Sequence, residues 1–122
     1  GGMRDRGFGR IVNISSVNAA RGQAGQTNYS AAKAGVEGFT RALARESAGK
    51  GITVNAVAPG YADTPMVDAL PDEIMEGILA NVPLARLAEP DEIGRCVRFL
   101  ASDDAGFITG ATLPVNGGLQ MG

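Results

Sequence analysis

The sequence predicts a doubly wound α/β fold, in which about three parallel strands with flanking helices extend over residues 1–122. Three short runs rich in β-branched residues, at 10–16, 52–57 and 111–115, are typical of buried strands that end in turns. Helical patterns fill the stretches between them, as expected for parallel strands joined by right-handed crossovers. A complete sheet of this kind has about six strands in two halves, so the pattern predicts one half.

The segment 27–47 has the periodicity of a long helix. Its apolar residues recur at three- and four-residue spacing and comprise Ala32, Val36, Phe39 and Leu43. A strip of small residues runs beside them and comprises Ala31, Gly35 and Gly38. Such a strip lets a second helix approach closely, and glycines at 49 and 51 supply the stop signals of the helix.

The later helices have recognisable starts. Thr64 and Pro65 are typical of an N-cap and first helical position, and a second helix is expected from 71 to about 80. A third opens at 89–92 with acidic residues at the positive end of the helix dipole. Its apolar seam consists of Ile93, Val97 and Leu100. Pro114 cannot donate to a ladder, which predicts an edge position for the last strand.

The composition argues against several classes of function. The net charge is −2 with mixed signs, so no basic stripe favours nucleic acid as a partner. No apolar run is long enough to cross a bilayer. The single Cys96 cannot form an internal disulfide, and without histidine the common zinc sites are excluded. We therefore expect a cytoplasmic protein without a metal, a membrane or a nucleic acid as partner.

Three polar residues have a spacing that favours catalysis. Tyr29 and Lys33 are four apart in the predicted helix and share one face, where an ammonium can stabilise a phenolate. Ser16 ends a predicted parallel strand, at the edge where open α/β sheets place their ligands. Taken singly, a Tyr–Lys pair is more often a surface contact, and a serine at a strand end is more often a turn residue. The ordered set of three favours the catalytic interpretation.

Four ordered motifs carry a resemblance to a known family. They are NISS at 13–16, YSAAK at 29–33, GITVNAVAPG at 51–60 and VNGG at 115–118. Together they resemble the short-chain dehydrogenases/reductases, over nearly all of the chain. Within that family the similarity is greatest to the 3-oxoacyl-acyl-carrier-protein reductases and the acetoacetyl-CoA reductases. The resemblance implies that the chain is the C-terminal half of a Rossmann-like domain, the half that carries catalysis and substrate binding.

The resemblance also implies roles for individual residues. Tyr29 would be the proton donor or acceptor, Ser16 would hold the substrate oxygen, and Lys33 would bind the nicotinamide ribose and lower the pKa of Tyr29. Ser15 is the nearest rival to Ser16, but the family spacing favours the second serine. Together with Tyr29 and Lys33, the residues implied to contact the NADP or NAD cofactor are Pro59, Gly60, Ala62 and Thr64. Asn55 and Asn116 are interpreted as structural, bonding neighbouring backbone.

Other family features have no counterpart in this sequence. The glycine-rich turn that holds the pyrophosphate at a helix N-terminus is not found, because Gly7-Phe8-Gly9 precedes a strand instead of following one. The residue that selects NAD or NADP and the asparagine of the proton relay are not found either. We therefore expect the chain to need a complementary N-terminal half to hold the adenosine end of a dinucleotide and to perform NAD(P)-dependent ketone reduction.

Two alternatives stay open, and with them the question of whether the chain alone is an enzyme. A half-domain on its own could use Ser16 with Tyr29 and Lys33 as a nucleophile and base for ester hydrolysis. It could equally be an inactive scaffold. In each case we expect a homo-oligomer, formed through the helix at 28–47 and the open edge of the strand at 11–14.

Overall fold

The sheet consists of β1 (Gly9–Ile14), β2 (Ile52–Pro59) and β3 (Thr112–Val115), which are parallel and lie in the order β1-β2-β3. The computed structural model describes residues 1–15 and 27–121, with the backbone alone for residues 27–30. Within these residues the predicted α/β fold with about three parallel strands is confirmed. β3 lies at an edge of this sheet, as Pro114 predicted.

Helices occupy the connections. They are α1 (Gly2–Arg6), α2 (Thr27–Ser47), α3 (Pro65–Asp68), α4 (Asp72–Ala80) and α5 (Pro90–Ala101), with 3₁₀ turns at Ala48–Lys50 and Asp103–Ala105. The four longer or later helices, α2 to α5, match the predicted segments, whereas α1 was not predicted. The backbone N–H of Val67 donates to Thr64 Oγ1 at 3.4 Å, which confirms Thr64 as the N-cap of α3.

One face of the sheet is covered by α2. Ala44 of α2 packs on Ile52 and Val54 of β2, and this buried cluster is extended by Met3, Ile11 and Leu43. Polar contacts add to it, because Asn13 Nδ2 donates to Thr40 Oγ1 at 2.9 Å. The helix therefore runs antiparallel to β1, so that its first turns lie at the carboxyl edge of the sheet.

The buried face of α2 differs from the predicted apolar stripe. Phe39 is 57% exposed and Ala32 is also exposed, whereas Thr40 and Ser47 are buried. Thr40 can be buried because its hydroxyl is satisfied twice, accepting from Asn13 and donating to the carbonyl of Val36 at 2.7 Å. The buried face of α2 therefore includes Thr40, with its paired hydroxyl, instead of Phe39, which apolar periodicity alone places there.

The second face is covered by α5. Leu100 is buried, and Ile93 and Val97 are half-buried, so the predicted seam of this helix is confirmed. The end of α5 is tied to β1, because Arg10 Nε donates to the carbonyl of Ser102 at 3.1 Å. With a helix on each face, residues 52–58 of β2 are all buried.

The crossing from α5 to β3 is fastened to β2 by a completely buried asparagine. Asn55 Nδ2 donates to the carbonyl of Ile108 at 3.0 Å, and Asn55 Oδ1 accepts from the N–H of Ala111 at 3.0 Å. Thr109 Oγ1 also accepts from the N–H of Val54. The prediction that Asn55 bonds neighbouring backbone is confirmed.

Candidate active site

The carboxyl ends of β1 and β2 bring several predicted site residues to one edge of the sheet. The N–H of Ser15 donates to the carbonyl of Val57 at 2.8 Å, just beyond the last paired residue of β1. Two residues further along β2 lie Pro59 and then Gly60, both half-buried. The chain leaving β1 and the predicted cofactor segment therefore emerge side by side, where open parallel sheets bind ligands.

Ser15 joins this edge to α2. Its side chain is 3% exposed, and Ser15 Oγ donates to the backbone carbonyl of Lys33 at 3.1 Å. A hydroxyl that is buried and already donating is poorly suited to holding a substrate oxygen, so Ser15 has a structural part here. The predicted substrate-binding residue, Ser16, lies outside the described residues.

The first turns of α2 carry the other two predicted catalytic residues. The backbone at positions 29 and 33 is helical, so the two positions are one turn apart on the same face. Lys33 is half-buried, and its carbonyl receives the bond from Ser15. The side chain of Tyr29 lies outside the described residues, so its predicted role as acid or base stays a prediction.

Gly60 is in close contact with the end of β3. Its N–H donates to the carbonyl of Val115 at 3.0 Å, and a Cβ at position 60 would lie 2.8 Å from Cβ of Asn116. Asn116 closes the next turn, with Nδ2 donating to the carbonyl of Gln120 and Oδ1 accepting from the N–H of Gly118. These bonds confirm the structural interpretation of Asn116, and only glycine fits at position 60 without displacing it.

Ala62 forms a parallel bridge with Ala88. The N–H of Asp63 donates to the carbonyl of Ala88 at 2.8 Å, and the N–H of Ala88 donates to the carbonyl of Tyr61 at 3.0 Å. In extended backbone this pairing turns the N–H and carbonyl of Ala62 itself to the opposite side. That donor–acceptor pair matches the two polar groups of a carboxamide, so the segment fits the nicotinamide end of the implied cofactor.

An ion pair behind this bridge was not predicted from the sequence. Arg86 Nη1 and Nη2 donate to Glu92 Oε1 at 2.7 Å and Oε2 at 3.0 Å. The Arg86 guanidinium, helped by the N–H of Glu89, lowers the pKa of Glu92 to about 2, so the pair stays ionised through the neutral range. The acidic start of α5 was recognised from 89–92, but no sequence periodicity indicates Arg86, six residues before Glu92, as its partner.

Two carboxyls lie together next to the same segment. A side-chain hydrogen bond with Asp63 raises the pKa of Asp68, and desolvation and the charge of Asp63 act in the same direction.

Within residues 1–15 and 27–121, no group of three or more histidine, cysteine, aspartate or glutamate side chains could hold a metal ion.

In the part of the chain that the structure describes, no helix is both long and apolar enough to span a bilayer.

Comparison with known proteins agrees with this geometry. The sequence profile of a family described as enoyl-(acyl carrier protein) reductase matches residues 2–120. An acetoacetyl-CoA reductase of Rhizobium meliloti is 65% identical over 96% of this chain and 49% of its own length. A 3-oxoacyl-[acyl-carrier-protein] reductase of Pseudomonas aeruginosa is 59% identical over 98% of this chain and 49% of its own length. A protein named nodulation protein G, of Azospirillum brasilense, is 63% identical over 97% of this chain and 48% of its own length.

The chain therefore belongs to the short-chain dehydrogenase/reductase family. It spans about half the length of the curated relatives it matches.

Proposed function

We propose that this chain is the catalytic half of an NAD(P)-dependent reductase that acts on a ketone such as a 3-oxoacyl thioester. The observation that carries the proposal is the junction at Ser15, which bonds both to Val57 of β2 and to Lys33 of α2. Through it, Ser15, the Lys33 turn and the Pro59–Gly60 segment lie at one edge of the sheet. The names of the relatives, acetoacetyl-CoA and 3-oxoacyl-acyl-carrier-protein reductases, support the substrate class.

In the proposed reaction each residue has a separate task. Ser16 holds the substrate carbonyl oxygen, and Tyr29 donates a proton to that oxygen during reduction or removes it in the reverse direction. Lys33 binds the ribose and stabilises the phenolate form of Tyr29 through its positive charge. The backbone of Ala62, between Gly60 and Thr64, receives the carboxamide. When bound, the nicotinamide supplies or accepts the hydride.

The proposal is tested by titrating the purified chain with NADPH, NADH and reduced nicotinamide mononucleotide. Because the assigned residues cover the nicotinamide end alone, all three ligands are expected to bind weakly and with similar dissociation constants. Lys33→Ala is expected to weaken each about tenfold or more, since hydrogen bonds to charged groups contribute about 1.5–3 kcal/mol. Calorimetry or nicotinamide fluorescence gives the constants.

The matched control is Lys50→Ala, which makes the same substitution in the exposed 3₁₀ turn at the far end of α2. Binding should be unchanged in this variant. Absence of saturable binding at millimolar ligand, or an equal loss in both variants, would refute the assignment of Lys33 in this chain.

We further propose that the chain works in an assembly. Two surfaces support this: the outer edge of β1, which faces no other strand of the described sheet, and the exposed face of α2 with Gly35 and Phe39. The edge suits a complementary N-terminal half, because unpaired strand edges bind further strands. The α2 face suits a second copy, since glycine lets two helices approach closely. The single cysteine supports the cytoplasm as the compartment.

Light scattering is expected to give a mass of at least two chains. Phe39→Ser should shift the population towards monomer, because it removes an apolar contact from the α2 face. Phe107→Ser is the control, since Phe107 is fully exposed and lies outside that face. A monodisperse monomer for the unaltered chain at working concentration would contradict the assembly.

A further inference from the structure

The direction in which Ala62 presents its backbone depends on Ala88. The two hydrogen bonds of the bridge, from Asp63 to Ala88 and from Ala88 to Tyr61, fix the plane of the peptides on either side of Ala62. Ala88 belongs to the loop 81–89 between α4 and α5 and not to a strand of the main sheet. Whatever fixes this loop therefore also fixes the polar groups of Ala62.

The carboxylate of Glu92 anchors the loop on both sides of Ala88. Upstream, Arg86 binds both carboxylate oxygens and its Nη1 also donates to the carbonyl of Leu87 at 3.1 Å. Downstream, the N–H of Glu89 donates to Glu92 Oε1 at 2.9 Å. Glu92 itself sits in the first turn of α5, which packs on β1 and β2. We call Arg86, Glu89 and Glu92 the Glu92 clamp.

Without the clamp the loop has room to move. A cavity of about 230 Å³ lies beside it, with Tyr61, Arg86, Glu92 and Asn116 in its lining. The loop also contains Ala85 at φ 58°, in the left-handed region that is unfavourable for residues other than glycine. A strained loop next to a cavity is expected to rearrange when its anchor is removed.

We propose that Arg86 and Glu92 are positioning residues for the nicotinamide-binding segment, acting through Ala88 to orient the backbone of Ala62. This inference rests on the proposed function for the identity of the ligand. The side chains of this pair are 55% and 31% exposed, and exposed ion pairs add little to global stability because water screens them. The clamp acts instead on the order of one loop.

Amide hydrogen exchange and ligand binding test the clamp together, on the full chain. In Arg86→Ala, exchange at the amides of Asp63 and Ala88 is expected to accelerate about tenfold or more, while the thermal midpoint barely changes. The dissociation constant for reduced nicotinamide mononucleotide should rise in the same variant. Glu92→Gln should act in the same way, and Arg86→Lys should be intermediate, because an ammonium cannot bind both carboxylate oxygens at once.

Arg95→Ala is the matched control. Arg95 Nε binds Asp91 Oδ2 at 2.8 Å, and Arg95 is about as exposed as Arg86, but both partners of this pair belong to α5 and neither belongs to the loop. Unchanged exchange in Arg86→Ala, or faster exchange without weaker ligand binding, overturns the positioning role. If the unaltered chain binds no nucleotide, the proposed function fails and the ligand part of this inference fails with it, while the exchange rates still decide whether the clamp orders Ala62.

Discussion

Replacing Asn55 by alanine is expected to lower the free energy of unfolding by about 2–4 kcal/mol, since it removes two hydrogen bonds of about 0.5–1.5 kcal/mol each and leaves a cavity at a fully buried position. The side chain is fully buried and bonds to the carbonyl of Ile108 and the N–H of Ala111. Both groups belong to the crossing that delivers β3 to the sheet edge. Urea unfolding, followed by circular dichroism, measures the change.

Thr53, on the same strand, provides a control for which no loss of stability is expected. Thr53 is 7% exposed, and among the described residues its Oγ1 is buried without a hydrogen-bond partner. Thr53→Val therefore removes an unsatisfied hydroxyl and should leave stability unchanged or slightly raised. If Asn55→Ala proved as mild as Thr53→Val, the two hydrogen bonds of Asn55 would have no part in holding the crossing.

The strands and longer helices could be predicted because their signals are local. β2 is a run rich in β-branched residues that starts after Gly51 and stops at Pro59-Gly60, and the burial of residues 52–58 follows from that composition. The bounds of α2 agree with the predicted 27–47. The orientation of α2 was harder to predict, because burial of Thr40 requires Asn13, a residue 27 positions away. Apolar periodicity does not register such polar pairs.

The candidate site likewise has one part that could be predicted from the sequence and one part that could not. The backbone of Lys33 and of Gly60 lies near the carboxyl ends of β1 and β2, and Thr64 is the N-cap of α3, whereas their proposed roles stay predictions. The bridge from Ala62 to Ala88 and the Arg86–Glu92 pair were not predicted. Both contacts involve the irregular loop between α4 and α5. In such a loop no sequence periodicity indicates which residues are partners. A capping glutamate in the first turn of α5 was recognisable, but its second partner was not.

The continuous pairing of β1 with β2 connects the two ends of the sheet. Their pairing begins at Gly9 and Ile52 and continues without a break to Ile14 and Val57, next to the Ser15 junction. We therefore expect a displacement at the first pair to change where Ser15 meets Val57 and Lys33. Gly51 lies immediately before β2, so a substitution there tests whether a change at the first pair reaches Ser15.

Gly51→Ala is expected to lower the free energy of unfolding by about 2–4 kcal/mol, combining about 1–2 for left-handed backbone with the cost of overpacking. Gly51 has φ 71°, and a Cβ there would collide with the carbonyl oxygen of Gly7 and lie 3.0 Å from its carbon. Both contacted atoms are backbone, so no side-chain rotation relieves the collision. Chemical denaturation gives the stability, and the crosspeaks of Ser15 and Val57 report any displacement at the far edge.

Gly49→Ala is the matched variant, in the 3₁₀ turn that Gly51 terminates. No atom lies within 4 Å of a Cβ at position 49, so this substitution should be neutral or stabilise the chain by up to about 1 kcal/mol through the unfolded state. A large loss in Gly51→Ala without any shift at Ser15 would mean that the two sheet ends are independent. A shift at Ser15 would instead mean that the turn before β2 helps to set the geometry of the candidate active site, although it lies at the opposite end of the strands.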